Sequence, residues 1–344
     1  MKTHVKSALT FGRFLKAAIA AASLALPAAQ AQADDFYRGK TITVLHFSGA
    51  GGVNDLYARL LTRYMGEFIP GNPGFVVQTM PGAGGKTLAN YIFNKAPRDG
   101  TVIGSLNQTV GIDQVLGEGA QYNTGEFTWL GRVTPTTGLV MIYGDSKTKT
   151  LEDMKTRETV FGAQGKPSQT YMTPTLMRTL LGYKTRVVLG YTTSPEMFAA
   201  MERGEVEGRT GALETLNAVH PDWLDKGKMR VVAELSLESK PTFPGTPLLP
   251  PMVTDPKKRE IMDLIASYTA FGISFVTTPG VPNDRVAMLR TAYDATMVDP
   301  RFLADLKTSS MDIGAMSGAE LQKLSTQFRT VTEDLLDRTR KALE

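Results

Sequence analysis

The sequence predicts an α/β protein layered around a largely parallel sheet. Three observations point there. Short β-rich runs alternate with segments of helical period after residue 35. The first two strand-like runs each lead through a glycine-rich turn into an amphipathic helix. A chain of 344 residues, 42% of them hydrophobic and 21% charged, can bury one large or two ordinary cores.

The elements follow in order. Residues 41–47 (TITVLHF) read as a strand, and the turn 48–52 leads to a helix from about Asn54, its expected N-cap. Tyr57, Leu60, Leu61, Tyr64, Met65 and Phe68 form that helix's apolar stripe, opposite Arg59 and Arg63. A second unit repeats the plan: strand 75–77, turn 81–85 and helix 86–94, buried through Leu88 and Ile92. Residues 101–106 give a third strand. A second α/β region is expected from about Phe127, with strands at 139–143, 159–162, 186–189 and 230–233. Ser194-Pro195-Glu196 has the signature of a helix start. The six prolines of residues 241–256 predict a long ordered loop, and 272–278 reads as a further strand. Beyond Pro282 a helical chain is expected, ending in one long helix with Leu321, Leu324, Phe328, Val331 and Leu335 on its apolar face.

The net charge of +4 is local. Lys2, Lys6, Arg13 and Lys16 stand without an acid in the first 33 residues, leaving 34 basic against 34 acidic residues beyond them. A neutral remainder has no general attraction for phosphate backbones or anionic lipid, so a nucleic-acid partner is not expected. Residues 1–33 read as a secretory signal: a basic start, an apolar stretch at 17–26, then Pro27 and small residues. Cleavage is expected after Ala31 or Ala33. About ten apolar residues are too few to span ~30 Å of hydrocarbon, so no stable membrane insertion is expected and the mature chain reads as periplasmic. With Cys 0, disulfides, zinc–thiolate centres, iron–sulfur clusters and thiol nucleophiles are excluded.

Catalytic signals are weak. Beyond the signal the chain holds only His46 and His220, and no G-x-S-x-G elbow. His46 lies two residues from Ser48, close enough to the glycine turn to touch a ligand. No histidine or carboxylate cluster has metal-ligand spacing, and no cofactor is expected. Gly85-Lys86-Thr87 ends like a phosphate-binding loop, but Met80 stands where its first glycine is required. Neither glycine turn completes G-x-G-x-x-G, since the sixth positions are Asn54 and Thr87. Both turns nevertheless join a strand's carboxyl end to a helix's amino end, where unpaired N–H groups and the dipole favour an anion. Glycine lets a ligand approach that backbone closely. It also merely permits tight turns, and both readings stand turn by turn. Two adjacent turns of this design favour a carboxylate pocket at the sheet's edge.

Residues 36–60 (FYRGKTITVLHFSGAGGVNDLYARL) and 69–104 (IPGNPGFVVQTMPGAGGKTLANYIFNKAPRDGTVIG) resemble the Bug family, the extracytoplasmic solute-binding receptors of tripartite tricarboxylate transport systems. The likeness continues at 181–184, 190–191 and 202–209 and spans essentially the whole chain beyond the signal. It implies a periplasmic-binding-protein fold of the type 2 kind, with two α/β domains joined by two crossing strands around a ligand cleft. Domain 1 would be 34–133 plus 276–344 and domain 2 would be 134–275, with crossings near 132–137 and 272–278. By the same likeness, Ser48, Gly49, Ala50, Gly51 and Gly52, with Gly82, Ala83, Gly84 and Gly85, would hold one carboxylate. The loop 162–170, with help from 191–194, would cover the solute's other end. Gln164, Gly165, Ser168 and Thr170 would supply polar contacts there. The chain departs from relatives in having Ser48-Gly49-Ala50 where many are proline-rich, and Gln164, Gln169, Thr170 and Tyr171 where many have serines and a histidine–leucine pair. Pro174 is expected to delay the helix after that loop.

Three side chains admit two readings each. Asp55 either faces a ligand or charges its helix's first turn and pairs with Arg59. Arg209 either clamps a second carboxylate or lies exposed. Tyr191 either stacks on an aromatic acid or packs under its loop. The expected function is capture of a small organic carboxylate (a di- or tricarboxylate or an aromatic acid) by hinge closure, without catalysis, and delivery to integral membrane permease subunits. A solute sensor feeding a signalling receptor, or an exported hydrolase, are the rival readings.

Overall fold

A computed structural model describes residues 36–117, 119–166, 168–237 and 243–344; the expected signal segment lies outside them. Two sheets organise the chain. The first contains β1 (Thr41–His46), β2 (Gly74–Thr79), β3 (Val102–Leu106), β4 (Thr128–Thr134), β10 (Ile273–Thr277) and β11 (Met316–Ser317), in the order β11-β4-β10-β3-β1-β2. The second contains β5 (Gly138–Tyr143), β6 (Thr159–Ala163), β7 (Thr185–Leu189), β8 (Gly208–Gly211) and β9 (Met229–Leu235), in the order β7-β6-β8-β5-β9. Both sheets are mixed, which corrects the expectation of a largely parallel one. β1 is parallel to β2 and β3, and β6 is parallel to β7 and β8. β10, β4 and β11 pair antiparallel, as do β5, β8 and β9. Strands that return from the other lobe enter their sheet against the direction of its βα units.

Apolar residues at helical spacing seat helix Val53–Met65 on the first sheet. Tyr57, Ala58, Leu61 and Met65 are buried there with Ile42, Val44, Leu130, Phe275 and Tyr293. On the second sheet, Phe198 and Met201 of helix Ser194–Glu202 pack against Leu139, Met141 and Trp223. Burial of this kind stabilises by about 1.5–3 kcal/mol for each large side chain. The larger remaining cluster runs between the two sheets' cores, where Trp129 packs at a tilt against Phe271 and Phe271 at a tilt against Phe328.

The chain passes between sheets at 135–137 and again near 268–272. The two passages lie side by side, with Thr136 N–H donating to the Thr269 carbonyl at 3.0 Å. Gly272 makes the turn at φ 42°, where an added Cβ would stand 2.0 Å from the Thr134 carbonyl oxygen.

Several local expectations are corrected. The first helix begins at Val53 with Gly52 as N-cap, because Asn54 is buried and donates Nδ2 to Ser105 Oγ at 3.2 Å. Thr193, not Ser194, caps the helix Ser194–Glu202 through Glu196 N–H. Pro174 does not delay its helix, which runs Gln169–Leu181 with the proline inside; burial from Thr170 to Met177 outweighs the lost ladder bond. The proline-rich stretch is not all loop, since Pro256 opens helix Pro256–Ala266 at a position where its missing N–H costs nothing. The tail is not one helix. It breaks into Gly318–Ser325, the 3₁₀ turn Thr326–Arg329 and Glu333–Ala342, because the β-branched run 330–332 favours extended backbone and Thr332 caps a fresh start. The last helix reaches across to the second sheet's side, where Tyr171 Oη and Thr179 Oγ1 donate to the carbonyls of Leu343 and Ala342.

Candidate functional site

The carboxyl ends of β1, β2 and β3 share one edge of the first sheet, because the three strands run parallel in adjacent register. Three loops leave that edge. The turn after β2 is the most constrained: Gly82, Ala83, Gly84 and Gly85 have φ of 136°, 46°, 66° and 98°. At Gly85 an added Cβ would also fall 2.9 Å from Asn107 Cβ, so glycine is required there by both conformation and space. Helix Lys86–Asn94 then starts without a side-chain cap. Lys86 N–H is already bonded to the Ala83 carbonyl of the preceding turn, so the helix dipole and the Lys86 side chain are what attract an anion here. Asn107, from the loop after β3, donates Nδ2 to the Gly84 carbonyl at 2.7 Å and fixes the turn from the side.

The second lobe presents its own edge, the carboxyl ends of β6, β7 and β8. After β6 the loop is tied internally. Ser168 Oγ donates to the Gly165 carbonyl at 2.6 Å and lies 2.7 Å from Thr170 Oγ1, which accepts from Gln164 N–H at 3.1 Å. Gln164 Nε2 reaches across to the Thr192 carbonyl at 3.2 Å.

A cavity of about 370 Å³ lies between these edges. Ala83, Gly84, Lys86, Asn107, Gln108, Thr109 and Asp113 line it from one side, and Gln164, Gly165, Ser168 and Gln169 from the other. Lys86 supplies a cation. Burial raises the carboxyl pKa of Asp113, opposed by the Thr109 hydroxyl and by Lys86. Gln169 Oε1 is a buried acceptor with no partner among the described residues. A smaller cavity of about 80 Å³ shares Gln108 and runs past Val53 and Asn54 to Thr134, Thr136 and Glu214.

The structure thus brings Ala83, Gly84, Gln164, Gly165 and Ser168 together around one space, with Gly85 buried just behind them. It separates the rest. Ser48, Gly49, Ala50, Gly51 and Gly52 sit beside the second turn, as the 3.3 Å approach of Phe47 to the Gly85 Cβ position shows, but they do not line the cavity. Gly82 is exposed beside the Thr87 side chain and does not line the cavity. Asp55 takes its structural reading. It is 3% exposed, accepts Gly51 N–H at 2.8 Å, and stands 2.9 Å from Arg59 Nε and 3.0 Å from His46 Nε2. Burial alone would raise its pKa, but the Gly51 amide, Arg59 and His46 hold it below the usual carboxylate value. Thr170 is buried under its loop, and Tyr191 packs on Gly162. Arg209 is 2% exposed, so of its two readings the exposed one does not hold. His220 stacks on Trp223 with ring centroids 3.7 Å apart, a packing role.

Sequence reasoning missed the third loop, Asn107, Gln108 and Thr109, and with it Asp113. That stretch carries no glycine motif. The available signal was its place after a strand parallel to β1, at the edge where open α/β sheets bind ligands.

No family model and no curated protein matches the sequence. Solved structures do. A TctC solute-binding protein from Polaromonas superposes with a TM-score of 0.65 at 17% identity, over 88% of this chain and 99% of the other. The periplasmic binding protein BugD gives 0.63 at 19%, over 89% and 98%. MatC from Rhodopseudomonas palustris, with bound malate, gives 0.59 at 21%, over 89% and 99%. The chain has the two-sheet α/β fold of these solute-binding proteins.

Proposed function

We propose that this protein is a periplasmic receptor of the Bug type, which captures a small organic carboxylate between its lobes and presents it to the permease of a tripartite tricarboxylate-type transporter. The observation that carries this reading is the interlobe cavity. One wall offers the start of helix Lys86–Asn94, which has no side-chain cap, together with the Lys86 ammonium, and the other offers the polar side chains of Gln164, Ser168 and Gln169. A carboxylate at the first wall accepts charge-assisted hydrogen bonds, which gain strength as closure excludes water. Contacts to the second wall exist only when the lobes approach, so the solute's differential affinity drives the hinge. The passages at 135–137 and 268–272 are the hinge, and Gly272 is its fixed corner. The malate bound by MatC, a protein of the same fold, supports a carboxylate as cargo. The expected leader segment and the fold together support a periplasmic site of action.

The hydrolase reading has one observation in its favour: Ser48 Oγ lies 3.1 Å from His46 Nδ1, whose Nε2 faces Asp55. His46 is fully buried and the three residues tie down one loop, so we assign them to architecture.

The test is thermal unfolding of ligand-free protein against mono-, di- and tricarboxylates. A bound acid at ~100 Kd adds about 2.7 kcal/mol of stability. A panel in which no organic acid raises the unfolding temperature refutes the reading.

A further inference from the structure

We infer that Asp113 binds the solute in its protonated form, as a hydrogen-bond donor, so that capture of an acid takes up one proton from water. This rests on the reading of the cleft as a carboxylate site and adds to it a donor beside Lys86.

Asp113 belongs to helix Val110–Leu116, which follows the third loop of the first lobe, and it lines the interlobe cavity on the same side as Lys86. It is 9% exposed. Oδ2 accepts from Thr109 Oγ1 at 2.9 Å, and Oδ1 has no partner among the described residues. Desolvation raises the carboxyl pKa, and the Thr109 hydroxyl and the field of Lys86 only partly offset it. Other titratable groups face Asp113 without reaching it. Tyr122 donates Oη to the Val110 carbonyl and stays neutral, because burial pushes its phenol far up. Lys166, Tyr171, Arg340 and Glu344 line a neighbouring cavity of about 220 Å³ that Asp113 also lines, and Arg340 is already paired with Asp337.

An acid bound beside Lys86 brings a second carboxylate into this space. Two carboxylates sharing one desolvated site do not both stay ionised, and the one with the weaker support takes the proton. The solute's carboxylate has the Lys86 ammonium and the dipole of helix Lys86–Asn94. Asp113 has one hydroxyl. Asp113 therefore takes a proton from solvent on Oδ1, and that O–H donates to a carboxylate oxygen of the solute, while Oδ2 keeps its bond from Thr109. The new bond is of the short, charge-assisted kind. The Lys86 charge is then balanced by the solute alone, and the like-charge repulsion that Asp113 would otherwise exert is gone. Because the bound state holds the extra proton, affinity falls as pH rises, by at most about tenfold per pH unit for one proton.

The test is calorimetry of ligand-free wild type and D113N with malate, adipate and benzoate, in phosphate and in Tris at matched pH, since the difference between buffers counts protons taken up. Wild type is expected to take up about half a proton or more per bound acid at about pH 7, and to lose about threefold or more in affinity by about pH 8.5, a range in which these acids are already ionised. D113N, whose Nδ2–H donates without any uptake, is expected to show neither the uptake nor the slope, and at about pH 8.5 to bind as tightly as wild type or more tightly. Removing a merely structural carboxylate lowers affinity at every pH, so a D113N that folds and binds more weakly at about pH 8.5 overturns the inference. The same uptake in D113N assigns the proton to another group and also overturns it. Should D113N not fold, T109V decides: it removes the donor that favours the anion, so its affinity at about pH 8.5 is expected to rise, and an unchanged or lower affinity overturns the inference. Wild type that binds an acid without proton uptake overturns the inference and leaves the carboxylate reading standing. No binding of any of the three acids overturns both.

Discussion

His46 Nε2 stands 3.0 Å from Asp55 Oδ1 beneath the first glycine turn, while His46 Nδ1 meets Ser48 Oγ and Asp55 Oδ2 accepts Gly51 N–H. Strand end and helix start are thereby strapped together across the turn that joins them. Desolvation lowers the His46 pKa, and attraction to Asp55 only partly offsets it. The folded state therefore binds this proton less readily than the unfolded chain does. Its contribution to stability is full above the ordinary value of 6.5 and declines as pH falls from there toward the depressed folded value. Asp113 and Glu214, whose values are raised by burial, act with the opposite sign. The check is a histidine NMR titration, assigned with H46Q: His46 should titrate below 6.5, and a midpoint at or above that value contradicts the account.

Gly84 and Gly85 make a matched pair. Both have positive φ, but an alanine methyl at Gly84 meets open space whereas at Gly85 it meets Asn107 and Phe47. G84A should cost about 1 kcal/mol and G85A more, about 2–4 kcal/mol, through strain plus the clash. Denaturant unfolding of the two variants decides it; equal losses would show that the turn is not packed as described.

Gly272 should be the least replaceable glycine of the passage between lobes. Any Cβ there meets the Thr134 backbone, which is no flexible side chain. G272A is expected to destabilise by about 3 kcal/mol or more, or to prevent folding. A near-neutral G272A, measured by thermal unfolding, would remove the hinge corner from the account.

Much of this fold was legible because β1, β2, β3, β5, β6 and β7 are written as short β-branched runs between turn signals. β8 was not. Its four residues, Gly208 to Gly211, contain two glycines and no apolar side chain, and they form a strand because the centre of the sheet demands it. At Gly208 any Cβ would strike Ile142 and the Met141 carbonyl, so close neighbours select glycine where propensity disfavours it. Arg209 consequently carries no strand signal, and its burial follows only from three-dimensional context. The glycine turns were legible as anion sites in principle. That Asp55 would occupy the Gly51 amide of the first, leaving the second to line the cavity, depends on a rotamer and not on a motif.

Lys86 is half-buried at the cavity's first wall. Charge-assisted bonds to a carboxylate contribute about 1.5–3 kcal/mol, so K86M should weaken binding of a carboxylate roughly 10- to 100-fold. The unfolding temperature of the ligand-free variant should hardly move, since Lys86 has no ion-pair partner among the described residues. Calorimetric titration with malate checks both; unchanged affinity would mean that the anion sits elsewhere.

The central claim is that a carboxylate is gripped between the start of helix Lys86–Asn94 and the loop after β6. Amide chemical-shift mapping of ¹⁵N-labelled, ligand-free protein on titration with malate addresses it directly. The predicted result is that the largest shifts cluster at 84–88 and 164–170, on both sides of the cavity. Shifts confined to one lobe, or centred on surfaces away from those two segments, would contradict the account.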